Sequence, residues 1–185
     1  MIGVEDLRKG VTFRHDTQLW RVLEYSHVKQ GRGNATIRIK ARNIRTGSTL
    51  EKSFQSGAKV EDISLDHHEM TYLYHDGDFY FFMDTETYEQ RPLTEAVLGE
   101  GVHYLRENLQ IKVSFFENDP VDVEFPTSVE LKVVESLPGV RGDTATNATK
   151  PATLESGYVL NVPLFVQEGD TIRVNTETGA YVTRV

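Results

Sequence analysis

The chain of 185 residues contains no cysteine, one tryptophan and six prolines. Without cysteine there is no disulfide framework, no thiolate zinc site and no cysteine nucleophile, a composition that suits a reducing compartment. No uninterrupted apolar run approaches the ~20 residues that a membrane span needs. The first ten residues, MIGVEDLRKG, carry charge where a signal peptide needs an apolar stretch, so the expectation is a cytoplasmic protein with no membrane partner. Strict repeats, low-complexity segments and a GxSxG nucleophile turn are also missing. The six histidines and the serines form no triad that can be placed from sequence.

Positive charge is scarce overall, 20 Lys and Arg against 28 Asp and Glu, and it is unevenly distributed. Residues 1–64 hold 12 basic and 7 acidic side chains, residues 65–126 hold 3 and 14, and residues 127–185 hold 5 and 7. A basic N-terminal third suits an anionic partner, whereas the acidic middle third stays soluble and repels polyanions. The excess peaks between residues 21 and 45, with seven basic residues against Glu24 alone.

What is abundant is period-2 alternation in short runs, the pattern of half-buried strands. Ala35, Ile37, Ile39 and Ala41 alternate with Thr36, Arg38, Lys40 and Arg42. Ile111, Val113 and Phe115 repeat the pattern, as do Val121, Val123 and Phe125, and Val129, Leu131 and Val133. TYLYHDGDFYFFMD predicts a hairpin turning at Asp76-Gly77, and RVNTETGAYVTRV one turning near Thr178-Gly179. Only RPLTEAVLGEGVHYLREN has helical character, and Gly99 and Gly101 cut it into short pieces. Many short strands at roughly ten-residue spacing predict an all-β chain of small barrels. Charge shifts and turn residues place domain boundaries near Leu65 and Pro126, giving domains 1–64, 65–126 and 127–185.

In HVKQGRGNATIRIKARNIR, Gly31 and Gly33 permit a tight turn with Arg32 at its tip, and Arg38, Lys40 and Arg42 then share one strand face. Such a basic finger suits contact with nucleic-acid phosphates. The cluster Asp66, His67, His68 and Glu69 is similar to the DHH motif of metal-dependent phosphoesterases. Adjacent histidines point apart, however, and no further acidic metal motif accompanies it. GRG is too short for a dinucleotide fingerprint and precedes a β-pattern. Arg141-Gly142-Asp143 and Asn147-Ala148-Thr149 spell an adhesion tripeptide and a glycosylation sequon, neither meaningful without secretion.

The chain resembles bacterial elongation factor P over its whole length. In KPATLESGYVLNVPLFVQEG, Lys150, Ala152, Gly157, Leu160, Val162, Pro163, Val166 and Gly169 stand at the spacing of that family's signature. PGVRGDTATNATKPATLESG resembles its loop into the third domain, and LRKG with KQGRGNA its first domain. The resemblance implies an L-shaped, tRNA-like arrangement of three small β-barrel domains, the first SH3-like (KOW type) and the others OB-like. It implies a monomer with no cofactor and no catalysis of its own, bound to the 70S ribosome and its ribosomal RNA beside the acceptor end of peptidyl-tRNA. There it stimulates peptide bond formation at consecutive prolines.

Residue by residue, the implied tRNA and ribosome contacts are Lys29, Gly31, Arg32, Gly33, Asn34, Arg38, Lys40 and Arg42. Gly142, Asp143 and Thr144 are the implied contact with mRNA in the exit site, on the small-subunit side. Arg32 stands at the position that family members extend chemically, as a lysyl-lysine in some and a rhamnosylated arginine in others. Arginine excludes lysylation, and Gln30 replaces the proline of the lysine-type members. Whether an arginine-modifying enzyme acts here stays open. Two alternatives remain, an elongation-factor-P-like paralogue with the same fold, and a metal-dependent phosphoesterase built on Asp66 to Glu69.

Overall fold

A computed structural model describes residues 1–29, 31, 33–139 and 148–185. The alternating runs fold as expected into strands, gathered in three antiparallel sheets. The first contains β1 (Ile2–Gly3), β2 (Thr12–His15), β3 (Gln18–Val28), β4 (Thr36–Asn43), β5 (Thr49–Gln55) and β6 (Lys59–Asp62), in the order β1-β6-β2-β3-β4-β5. The second contains β7 (Asp66–Asp76), β8 (Phe79–Asp84), β9 (Gln90–Thr94), β10 (Gln110–Phe116) and β11 (Asp119–Glu124), ordered β11-β10-β7-β8-β9. The third contains β12 (Ser128–Ser136), β13 (Thr149–Leu154), β14 (Val159–Pro163), β15 (Thr171–Asn175) and β16 (Tyr181–Arg184), ordered β14-β13-β12-β15-β16. Two compact units result, Met1–His67 with Ser114–Asp122, and His68–Val113 with Val123–Val185.

Each sheet buries the face that its apolar positions define. Phe13, Trp20, Val22, Ile37, Ile39 and Ala41 form the centre of one core together with Val4, Leu7 and Val60. Both expected hairpins form, β7–β8 with Gly77 at φ +60° and β15–β16 with Gly179 at φ +72°. The helical stretch is short, one α-helical turn, α1 (Glu95–Leu98), then a 3-10 segment (Gly99–Tyr104). Gly101 has a packing reason, because a Cβ there would collide with the Phe125 ring. The alternation breaks at Val113-Ser114-Phe115, where all three residues are buried. Ser114 is tolerated there because its Oγ lies 2.8 Å from His67 Nδ1. In the third sheet Lys150 is buried and its Nζ donates to the Leu137 carbonyl at 2.7 Å.

A six-residue turn recurs once in each sheet, and the sequence reading missed it. Asn43 Oδ1 accepts the backbone N–H groups of Arg45 (2.9 Å) and Thr46 (3.0 Å). Asp84 Oδ1 accepts those of Glu86 (2.8 Å) and Thr87 (3.1 Å). Asn175 Oδ1 accepts those of Glu177 (2.8 Å) and Thr178 (3.0 Å). The backbone then closes identically, with Gly47, Tyr88 and Gly179 each donating to the carbonyl of the first turn residue. Those three residues have φ of +74°, +61° and +72°. The underlying pattern is loose, NIRTG, DTETY and NTETG, which is why a search for strict repeats passes over it. A side-chain oxygen that satisfies two backbone donors is the known strength of Asn and Asp in turns.

Tyr88 is the exception within this set. It is 70% exposed, and it holds a left-handed conformation where the two sister turns have glycine. A left-handed non-glycine residue costs about 1–2 kcal/mol, offset in part by its smaller unfolded-state entropy, about 0.4–1 kcal/mol. Tyr88→Gly is therefore expected to raise stability by about 0.5 kcal/mol in urea denaturation; a loss of stability would show that the ring makes contacts that stabilise the fold.

Asp84 is likewise the only carboxylate among the three turn-forming side chains. It is 4% exposed, and hydrogen bonds from the Thr87 and Glu86 amides, then that from His68 (2.6 Å), hold its pKa below the ordinary carboxylate value. A depressed folded pKa gives a contribution that is complete above the unfolded value of about 3.9 and is lost as pH falls through the lower folded value. Asp84→Asn keeps the turn-forming oxygen, as Asn43 and Asn175 do, and removes this titration. Between pH 5 and pH 2 the variant should lose less stability than the parent, measured by chemical denaturation; equal losses would remove Asp84 from the acid response.

Candidate nucleic-acid interface

The candidate site is the long hairpin of β3 and β4. Its register pairs Val28 with Thr36, Ser26 with Arg38, Glu24 with Lys40 and Arg21 with Arg42, with a bulge between Val22 and Glu24. On the other side β5 sets Ser53 against Arg38, Glu51 against Lys40 and Thr49 against Arg42. Along β4, Ile37, Ile39, Ala41 and Asn43 are buried while Arg38, Lys40 and Arg42 are exposed. The three cations therefore stand on the outer face of the strand, as the alternation predicts. Lys29, Gly31, Gly33 and Asn34 are exposed in the connecting loop, where Gly31 has φ +58° with open space around it. Arg32 and Gln30 lie outside the described residues, as do Gly142, Asp143 and Thr144.

Charge on this face is more graded than the sequence suggests. Lys40 Nζ lies 3.5 Å from Glu24 Oε1, and Glu51 faces it from β5. Arg21 meets Asp122 at 2.5 Å and Arg45 meets Asp119 at 3.8 Å. Lys29, Arg38 and Arg42 have no ion pair among the described residues. Exposed pairs contribute about 0–1 kcal/mol each, so Lys40 remains available to a stronger anion at little cost. A run of cations pointing outward beside an exposed glycine-containing loop can hold successive phosphates and gain from counterion release.

The hairpin is braced from below. Tyr25 OH donates to the Glu5 carbonyl at 3.3 Å, and the Arg8 guanidinium sits 4.9 Å from the Tyr25 ring centroid. The Glu5 carboxylate accepts from Ser56 Oγ (2.7 Å) and the Gly57 amide (2.5 Å), which lower its pKa together with its own backbone hydrogen bond. These contacts fix the end of β5 beside the 3-10 turn Val4–Asp6.

The Asp66 to Glu69 stretch does not converge. It opens β7, where His67 turns to Ser114 and His68 Nδ1 to Asp84 Oδ2 at 2.6 Å. Among the described residues no group of three or more His, Asp or Glu side chains could hold a metal ion. No helix among them is long and apolar enough to cross a membrane.

Comparison with known proteins covers the chain from end to end. Residues 4–60 match the family "Elongation factor P (EF-P) KOW-like domain", residues 65–123 "Elongation factor P (EF-P) OB domain" and residues 129–184 "Elongation factor P, C-terminal". Among solved structures, the fold is similar to eukaryotic translation initiation factor 5A from Methanococcus jannaschii. That match has 23% identity and a TM-score of 0.54, covering 68% of this chain and 90% of that one. A translation initiation factor 5A family protein from Naegleria fowleri aligns at 17% identity and a TM-score of 0.49, covering 67% and 96%. All three sheets thus fall within domains of one family, and the chain belongs to the elongation factor P family of translation factors.

Proposed function

We propose that this protein binds the 70S ribosome beside peptidyl-tRNA and speeds peptide bond formation where consecutive prolines slow it. Membership of the elongation factor P family supports the reading, and one observation carries it to named residues. The cations of β4, Arg38, Lys40 and Arg42, are exposed on the outer face of a hairpin whose loop holds Lys29, Gly31, Gly33 and Asn34. In this reading the hairpin lies against the acceptor end of the tRNA and nearby ribosomal RNA. The protein works in the cytoplasm, without catalytic residues or cofactor, through domains 1–64, 65–126 and 127–185.

The chemistry needs no acid, base or nucleophile from the protein. Proline attacks through a secondary amine in a ring that fixes φ, so it is a restricted partner in peptide transfer. Holding the acceptor end in a reactive pose lowers the entropic part of the barrier, and each ~1.4 kcal/mol gained is about tenfold in rate. Arg32 stays protonated at cellular pH and so acts by position. Its planar donor fork suits phosphate and ribose oxygens near the tRNA terminus.

Translation of a message with consecutive proline codons, with and without the protein, tests the reading. Arg32→Lys keeps the charge and loses the fork, so ribosome binding should stay near normal while stall relief falls. Arg32→Ala should be worse, and full activity of Arg32→Ala would refute the role. Intact-mass measurement of protein from its native cell decides whether an arginine-modifying enzyme extends Arg32 with rhamnose.

Gly142, Asp143 and Thr144 are assigned to mRNA in the exit site. Replacing the three with alanine should weaken both ribosome affinity and stall relief; no change in either would remove that contact.

A further inference from the structure

A cavity of about 490 Å³ opens beside the second sheet, and every residue lining it belongs to the second compact unit. Small-molecule sites usually span roughly 300–1,000 Å³. Strands β7 and β8 bring Tyr72, His75 and Tyr80 to it. Strict alternation would send His75 to the face opposite Tyr72, because an odd number of residues separates their positions along the strand. A bulge between Tyr72 and Tyr74 turns it back, so that His75 opposes Tyr80 just as Tyr72 opposes the buried Phe82. Bulges re-aim side chains in this way beside functional sites. The 3-10 segment and the residues after it bring His103, Arg106 and Glu107, and the turn between β13 and β14 brings Glu155 and Ser156. Ser156 Oγ donates to the His103 carbonyl, which ties the turn to the segment.

The lining combines flat rings with polar groups that nothing else engages. His75 and Tyr80 stack with centroids 4.2 Å apart and planes at 10°, and His103 packs on Tyr158 at 5.0 Å and 30°. A planar ring extends such stacks. Arg106, Glu107 and the hydroxyls of Tyr72 and Tyr80 have no hydrogen-bond or ion-pair partner among the described residues, whereas Glu155 already accepts the Lys132 amide. Burial, and then the neighbouring Tyr80, push the Tyr72 phenol above the ordinary tyrosine value, so it stays a donor. An arginine fork takes two acceptors and a carboxylate takes two adjacent N–H groups. Guanine meets both, with O6 and N7 as acceptors on one edge and N1–H and N2–H as donors on the next. Adenine puts an amine where guanine has O6, and so faces arginine with a donor. Phosphate is disfavoured, because this unit holds 17 Asp and Glu against 8 Lys and Arg, and two of those carboxylates share the lining with its one arginine.

We propose that this cavity binds guanosine as a free, uncharged nucleoside. The rings of His75, Tyr80 and His103 hold the base by stacking, Arg106 takes O6 and N7, and Glu107 accepts N1–H and N2–H. Ribosome binding plays no part in this, so the test uses the full-length protein alone. Isothermal titration with guanosine should show one site per chain. Adenosine, and inosine, which lacks the N2 amine, should each bind about tenfold more weakly. Glu107→Gln should weaken guanosine about tenfold and bring it level with inosine, while Arg106→Gln should weaken guanosine and inosine together, since both present O6 and N7. Both side chains are exposed, so neither exchange disturbs the core. Tyr80→Leu removes a stacking ring and should weaken all three nucleosides alike, with an unchanged far-ultraviolet circular dichroism spectrum. No binding of guanosine at about 1 mM, or equal affinity for guanosine and adenosine, overturns the proposal. Tighter binding of guanosine monophosphate, or of a guanosine-containing oligonucleotide, than of guanosine places the affinity in the phosphate and also overturns it.

Discussion

When a side-chain oxygen accepts two successive backbone N–H groups, the chain behind it must reverse within a few residues, and Asn43, Asp84 and Asn175 impose that reversal in each of the three sheets. The reversal fixes the register of the strands that follow. Because side chains alternate with period 2, a slip of one residue would turn every outward side chain inward. With Asn43 held, Lys40 faces Glu51 and Arg42 faces Thr49 on the solvent side of the first sheet. With Asp84 held, Phe81 faces Pro92 on the outside of the second. The outward facing of Lys40 and Arg42 and that of Phe81 thus depend on the turns at the ends of β4 and β8.

Much of the fold was legible because alternation is a one-dimensional signal. Ile37, Ile39 and Ala41 announced a buried face and Arg38, Lys40 and Arg42 an exposed one. Gly99 announced the break between α1 and the 3-10 segment, where it holds φ +56°. Features that depend on partners distant in sequence were not legible. Ser114 reads as an outward polar residue until His67, on another strand, is seen beside it. Gly101 reads as a helix breaker until Phe125 is seen filling the space. At the candidate site, the cations were readable and their neutralisation was not. Asp119 and Asp122 approach Arg45 and Arg21 from a part of the chain about a hundred residues away in the latter case.

The hairpin and the cavity beside the second sheet have opposite electrostatic character. On the hairpin, Lys40 meets only the exposed Glu24 at 3.5 Å, a weak pair, whereas Arg21 is held by the half-buried Asp122. The cavity sets rings among carboxylates, an arrangement that repels phosphate.

The buried ammonium of Lys150 gives the far end of the chain a property of its own. Its Nζ reaches the carbonyl of Leu137, joining the residue where β12 has just ended to the second residue of β13. The two ends of the span between them are thus cross-tied by a charge inside the protein, in addition to the pairing of Ser136 with Ala152. The lysine that opens the signature stretch is accordingly an internal strut, and lysine acylation at this position would cut the tie without altering the surface charge that nucleic acid meets.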